Sequence, residues 1–358
     1  MDIYVLDGLN GIVDIVDTFE SVIWNMQYYG SNDFELIVPG TAENIAKLAL
    51  DRYLVRNIDV VGSDTFENIM IIEKRKLTFD IEKGWILTVS GGGLKRLLAR
   101  RIVWNQTNIS GSLEDAIRQI ITDNVINPVN LERKIDNFIL DDPIGIDTKT
   151  DLQLQNENIC DWLVTTCQAN GIGWDVYISG GKYIFTLIQG VDRSFDQNRV
   201  IPVIFSPEYD NLIRSEHEID LTEYKNAAIV GGEGEGIDQR TVVIGDASGL
   251  DRYETYIDGS GVSSNGEIIT LETYMKMLED FGYTELVNNG FTEKVEGDII
   301  ANGMYTFNED YFIGDIVQIV NINDLQAKSR IIEAIYSEDD QGNKLIPTFS
   351  DWNEKEGE

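Results

Sequence analysis

The sequence has a single histidine, His217, in 358 residues, which severely limits any chemistry that needs imidazole. His217 also lies in an alternating strand pattern, Arg-Ser-Glu-His-Glu-Ile-Asp, so a Ser-His-Asp triad is disfavoured against a polar-face histidine. There are only two cysteines, Cys160 and Cys167, one heptad apart on an expected helix and therefore about 10 Å apart, too far for a disulfide. They read as small buried apolar residues. No His/Cys cluster of zinc spacing and no EF-hand loop occurs, although weak calcium sites in acidic turns such as residues 338–342 remain open. Basic residues are scarce as well: 28 Lys and Arg stand against 62 Asp and Glu, a net charge of −34 that repels nucleic acid except where a local patch reverses the field. No apolar run reaches the roughly 18 residues of a membrane span, and no basic-then-apolar leader opens the chain, so a soluble protein made in a cytoplasm, with no membrane insertion, is expected.

What is present is apolar residue enough, 42%, for a substantial core, and a length that favours two or three domains. The scarce basic residues are concentrated: eight of the 28 lie in residues 68–103, where two alternating segments flank a charged turn and lead into Ser-Gly-Gly-Gly-Leu-Lys-Arg-Leu-Leu-Ala-Arg-Arg-Ile-Val. Alternation and β-branching predict strands over 12–16, 34–38, 53–60, 69–76 and 85–90, with a short helix over 43–50. Apolar spacing changes to the helical period after Trp104. Helices are expected over 113–124, opened by Ser112 with Asp115 three residues on, and over 158–169, closed by Asn170-Gly171. A hairpin turning at Gly180-Gly181 follows. Strands return over 200–205, 211–219, 226–231, 239–244, 252–256, 313–320 and 330–335, interrupted by a helix over 271–281. Sliding the chain by 260 positions matches Ile71-Ile-Glu73 with Ile331-Ile-Glu333 and Asp80 with Asp340, a sign of an internal repeat.

The glycine-rich segments do not carry phosphate chemistry. Residues 229–236, Ile-Val-Gly-Gly-Glu-Gly-Glu-Gly, return into a strand rather than opening a helix, and Glu233 and Glu235 oppose an anion; a flexible hairpin loop is expected there. The segment at 90–96 lacks the P-loop spacing and reads as a tight strand-to-helix turn. Among 62 acidic residues no glycosidase pair can be singled out. Lys95, Arg96, Arg100 and Arg101 are a solvated face, contacts to acidic neighbouring subunits, or contacts to nucleic acid or membrane, with Glu233 and Glu235 as further candidate subunit contacts. No catalytic, cofactor-binding or metal-binding residue is assigned, and no cofactor is expected.

Taken together, the strand and hairpin, the run Thr-Val-Ser-Gly-Gly-Gly-Leu-Lys-Arg-Leu-Leu-Ala-Arg-Arg-Ile at 88–102, the helix-containing insert and the later Ala-Ile-Val-Gly-Gly-Glu-Gly-Glu-Gly-Ile-Asp-Gln-Arg at 228–240 resemble the siphovirus tail-hub family, the N-terminal part of tail-associated (tail-tip) proteins, similar to phage baseplate hubs. The resemblance implies a mainly β, α+β fold with two related β-barrel hub domains: residues 1–104, a small α+β insertion domain over 105–200, and residues 201–358 carrying a helical insertion near 271–288. It implies a non-enzymatic homotrimer in the virion tail that caps the tail tube, adapts its six-fold symmetry to a three-fold tip and lines the channel through which DNA passes without specific binding. Implied partners are the distal tail protein, tail tube proteins, the tape measure protein, and spike or fibre proteins. The competing readings are a carbohydrate- or receptor-binding module, suggested by Trp24, Trp85, Trp104, Trp162, Trp174 and Trp352, and a peptidoglycan hydrolase of the tail tip.

Overall fold

Asp33–Pro39 reads Asp-Phe-Glu-Leu-Ile-Val-Pro and buries Phe34, Leu36 and Val38 while turning the intervening residues outward, the period of two that a half-buried strand requires. Strands of this kind build the centre of a computed structural model that describes residues 1–266, 268–290, 292–299, 303–320 and 326–351. Its principal sheet has 13 strands. In spatial order eleven of them are Leu212–Asp220, Thr292–Ile299, Gly342–Asp351, Gln326–Asp339, Ser21–Gln27, Asp33–Pro39, Gly84–Gly93, Met70–Asp80, Tyr53–Arg56, Ile3–Leu6 and Ile12–Val16. Ile316–Val320 pairs beside Gln326–Asp339 and takes Ile204–Phe205 in parallel on its far side.

The two related β-barrel domains implied by the family resemblance are corrected here. Among the described residues no sheet closes on itself: Ser21–Gln27 pairs with Gln326–Asp339 and draws both halves into one open sheet. The repeat survives in another form. Ser21–Gln27, Asp33–Pro39, Tyr53–Arg56, Met70–Asp80 and Gly84–Gly93 pair first with second, second with fifth, fifth with fourth and fourth with third, always antiparallel. Leu212–Asp220, Thr292–Ile299, Ile316–Val320, Gln326–Asp339 and Gly342–Asp351 repeat that pattern in the same chain order.

Each long hairpin carries a bulge, after Ile72 in one and after Ile331 in the other, and seven residue pairs beyond it. Counted from the bulges, Lys74 corresponds to Glu333 and Asp80 to Asp339. The gapless offset of 260 is therefore one residue out of step on this strand, which inverts the faces it aligns. The duplication lies in pairing and register rather than in those matched letters.

Among the described residues three apolar cores form. One collects both halves of the principal sheet, including Trp24, Leu36, Val89, Val317, Ile331 and Phe349. A second runs from Leu6, Tyr53 and Leu97 into Ile117, Leu163, Trp174 and Phe185, so the boundary expected at 104/105 falls inside it. The third belongs to a small three-stranded sheet, Thr241–Ile244, Ala227–Gly231 and Glu254–Asp258, covered by the helix Leu271–Leu286.

Local expectations hold where chemistry is local. The helix Leu113–Ile121 is capped by the Ser112 hydroxyl, which accepts from the Asp115 amide at 3.1 Å, and Ile159–Ala169 is capped by Asn158. Gly180 and Gly181 both have positive φ, 55° and 69°, in the turn between Gly173–Ser179 and Lys182–Ile188. Cys160 and Cys167 are buried free thiols, and burial pushes them up to about 11 and about 12 respectively. Trp352 lies outside the described residues, as does the side chain of His217.

At Gly91 a side chain has no room: a Cβ would lie 2.0 Å from the Ile71 carbonyl oxygen, beside the bulge. Gly91→Ala is therefore expected to destabilise the fold by about 1–3 kcal/mol, the usual cost of overpacking, read as a lower urea midpoint at unchanged m-value.

Candidate assembly surface

The basic segment that ends the hairpin Met70–Asp80/Gly84–Gly93 divides into inward and outward parts. A single helical turn, Arg96–Ala99, follows the strand and buries Leu97 and Leu98. That turn sends Lys95 into the interior, where it is 2% exposed. Its Nζ donates to the carbonyl oxygens of Gln27 (2.6 Å) and Gly30 (2.9 Å) and lies 5.1 Å from the centre of the Trp174 ring. Burial lowers its pKa, opposed mainly by the charge of Asp175, whose own carboxyl is raised by burial. Trp174 completes the clamp by donating Nε1–H to the Tyr29 carbonyl at 2.8 Å. The loop between Ser21–Gln27 and Asp33–Pro39 is thus held from two sides by groups distant in sequence.

Tyr28 in that loop is a second anchor. Its hydroxyl donates to the Ile188 carbonyl (2.8 Å), and Arg330 lies over its ring at 5.4 Å. Gly173 and Gly314 approach the ring so closely that a Cβ on either would fall 2.1 or 2.2 Å from a ring carbon. The neighbouring interior pair, Arg56 and Asp59, is bidentate at 2.5 and 3.0 Å, and the guanidinium lies between Trp24 and Tyr336, 5.6 and 5.4 Å from their ring centres. Sequence reading singled out neither Tyr28 nor Arg56. A charged residue inside an otherwise apolar strand, Tyr-Leu-Val-Arg, is the signal that marks Arg56.

The other basic candidates are partly exposed and engaged along the chain. Arg96 pairs with Glu73, Arg100 with Asp51 at 2.7 Å, and Arg101 donates to the carbonyl of Arg133 at 2.7 Å. Glu233 belongs to a different cluster. Its carboxylate accepts from the Ser263 hydroxyl (2.9 Å), the Ser264 amide and hydroxyl (both 2.7 Å) and Arg240 (3.2 Å). These bonds, led by Ser264, hold its pKa below the ordinary glutamate value. Glu235 is exposed in the same loop. The basic segment is thus tied to Glu73, Asp51 and the Arg133 carbonyl, and Glu233 to Arg240, Ser263 and Ser264, so the six candidates do not form one cluster.

Beyond the bulge the hairpin extends outward. Lys74, Lys76, Leu77, Thr78, Phe79 and Asp80 are all exposed, and Phe79 packs on the half-exposed Trp85. Trp24, Trp162 and Trp174 are core residues, whereas Trp104 is exposed beneath Arg133. Among the described residues no group of three or more His, Cys, Asp and Glu is arranged to hold a metal ion, and no helix is long and apolar enough to cross a membrane.

This fold is shared with solved phage tail proteins. The 43 kDa tail protein of prophage MuSo2 from Shewanella oneidensis superposes with a TM-score of 0.60 at 12% identity over 98% of both chains. A tail protein from Neisseria meningitidis MC58 gives 0.57 at 14% identity, over 98% of this chain and 96% of that one. A chain of the half-lidded Francisella PdpA–VgrG complex gives 0.50 at 9%, over 98% and 57%. No curated protein matches the sequence itself. The chain belongs to the siphovirus tail protein family described as Siphovirus ReqiPepy6 Gp37-like protein, which it matches over residues 2–350.

Two consequences are measurable. Lys95→Met leaves the Gln27 and Gly30 carbonyls without their cation and is expected to cost about 2–3 kcal/mol in chemical unfolding. Glu233 has a folded pKa below its unfolded one, so its stabilisation is full above the unfolded value and is lost as pH falls through the folded value. Thermal unfolding followed against pH should therefore show wild type losing stability relative to Glu233→Gln as pH drops below the ordinary glutamate range.

Proposed function

We propose that the chain is a structural hub of the tail tip, in which three copies form a ring that caps the tail tube and through which DNA passes. The observation that carries this reading is the duplication: two five-strand units of identical pairing lie in one chain and share one sheet. Three such chains present six equivalent units, which is what a six-fold tube needs from a three-fold tip. The charge of −34 suits a channel wall, since an acidic lining repels phosphate over roughly a Debye length, about 8 Å at physiological salt. Arg96, Arg100, Arg101, Glu233 and Glu235 are the side chains proposed to approach neighbouring subunits, with Lys95 supporting them from inside. The distal tail protein, tube proteins, tape measure protein and spike or fibre proteins are the proposed neighbours, and the virion tail the proposed location.

Mass measurement and negative-stain imaging of the purified protein test the reading together. A closed three-chain ring with a central opening is expected. A chain that stays monomeric at every concentration reached, or that grows into open fibres, would overturn it.

A further inference from the structure

The inserted α+β part and the three-stranded module meet where the strand Lys149–Leu154 and the helix Ile159–Ala169 approach the helix Leu271–Leu286. Polar bonds fasten them. The side-chain amide of Gln153 donates to the Ser263 carbonyl at 2.8 Å and accepts from the Ser263 amide. The Asp151 amide donates to the Asp280 carboxylate at 3.3 Å, and Lys276 pairs with Asp151 at 2.7 Å. Between the two parts lies a cavity of about 280 Å³ whose walls come from both.

The lining of that cavity combines the apolar side chains of Trp162, Val262 and Met277, all buried, with the carboxylates of Glu157, Asp161 and Glu285. Among the described residues that line it there is no lysine or arginine, and the nearby Lys276 is committed to Asp151. Burial raises the Glu157 carboxyl, and the charges of Glu285 and Asp161 raise it further, so like charges gather here at a cost. Thr166, in the same wall, is 3% exposed, and its hydroxyl is buried without a hydrogen-bond partner. A bound cation relieves the carboxylates and gives that hydroxyl something to accept from.

We propose that this cavity binds an aliphatic polyamine, with its ammonium groups against Glu157, Asp161 and Glu285 and its carbon chain against Trp162, Val262 and Met277. The site lies within one chain, so it does not depend on the ring reading above.

The two kinds of lining select the ligand together. A metal ion needs its ligand atoms close around it, and among the described residues no group of three or more His, Cys, Asp and Glu is so arranged; an apolar wall also adds nothing to its binding. An anion meets carboxylates, and a neutral apolar molecule would cover those carboxylates without pairing them, at the cost of their hydration. A flexible chain with ammonium groups satisfies both surfaces, as a lysine does when its stem lies on apolar surface and its charge reaches a polar one, and the Trp162 ring favours a cation beside it. The volume falls just below the common range of ligand cavities, about 300–1,000 Å³, which suits a thin chain rather than a nucleotide. The bonds of Gln153 and Lys276 fix the walls before a ligand enters, so binding pays little for ordering them.

The test is calorimetric titration of the full chain with spermidine at physiological salt, which screens the diffuse attraction of a surface of net charge −34 more than a close contact. One saturable site per chain is expected. Glu157→Gln/Asp161→Asn is expected to weaken it about tenfold or more, whereas Glu132→Gln/Asp142→Asn, which removes the same charge from exposed positions outside the cavity, leaves it unchanged. Wild type is titrated as well with hexaamminecobalt(III), a compact ion of the same charge as spermidine that has no carbon chain, and about tenfold weaker binding or less is expected. Thermal unfolding confirms that each variant folds, and the comparison of the two cations, made on wild type, stands even where one does not. The absence of a saturable site, a site that survives Glu157→Gln/Asp161→Asn, or hexaamminecobalt(III) bound as tightly as spermidine overturns the proposal.

Discussion

The pairing of Ser21–Gln27 with Glu333–Asp339 is the constraint on which the rest of the architecture depends. It joins residues about 300 positions apart and makes one sheet of two units that would otherwise each end in open edges. Polar chemistry specifies it as well as backbone bonds. Asn25 donates to Glu333 at 2.7 Å and to Asp33 at 3.0 Å, binding the strands on either side of its own. Burial raises the Asp33 carboxyl, so the Asn25 amide offsets a desolvation that would otherwise disfavour the register. Below the strand, Arg56 sits between Trp24 from one unit and Tyr336 from the other, its charge neutralised by Asp59. A slip of one residue would disconnect all of these at once.

Everything attached to the sheet is anchored near the end of that strand. The loop after Gln27 receives Lys95 from the hairpin turn, Trp174 from the inserted α+β part and Arg330 from the second unit. A buried lysine is costly unless its donors are satisfied. Here two carbonyl oxygens and an indole face meet its Nζ, so the side chain is satisfied only when the hairpin turn, the loop after Gln27 and the inserted part are in place together. The insertion therefore shares a core with the first unit rather than swinging on a linker, as Leu6, Leu97 and Trp174 in one cluster show.

Much of the local structure was legible in the sequence because the signals were local. Ser112, Asn158, Gly180-Gly181 and the period change after Trp104 each act through neighbours a few positions away, and each lies where its chemistry predicts. The seam strand escaped detection for a physical reason. Ser-Val-Ile-Trp-Asn-Met-Gln breaks alternation because Asn25 is buried for its hydrogen bonds, while Ile23 is half-exposed. Without that strand nothing in the sequence opposes the two barrel domains that the family resemblance implies. The candidate residues show the same limit, since Lys95 reads as surface charge until the Gln27 and Gly30 carbonyls are seen to converge on it.

The basic segment therefore resolves into two jobs that a composition count merges. Lys95 turns inward and Arg96, Arg100 and Arg101 are matched to groups of their own chain, so they contribute little free positive field. Lys74 and Lys76 remain outward on a strand edge. In a protein of net charge −34, copies repel at long range, and only a contact that brings opposite charges face to face at short range can reverse the sign. Long-range repulsion with a local exception discourages a misaligned contact between copies more than it discourages an aligned one, and that combination is a specificity device.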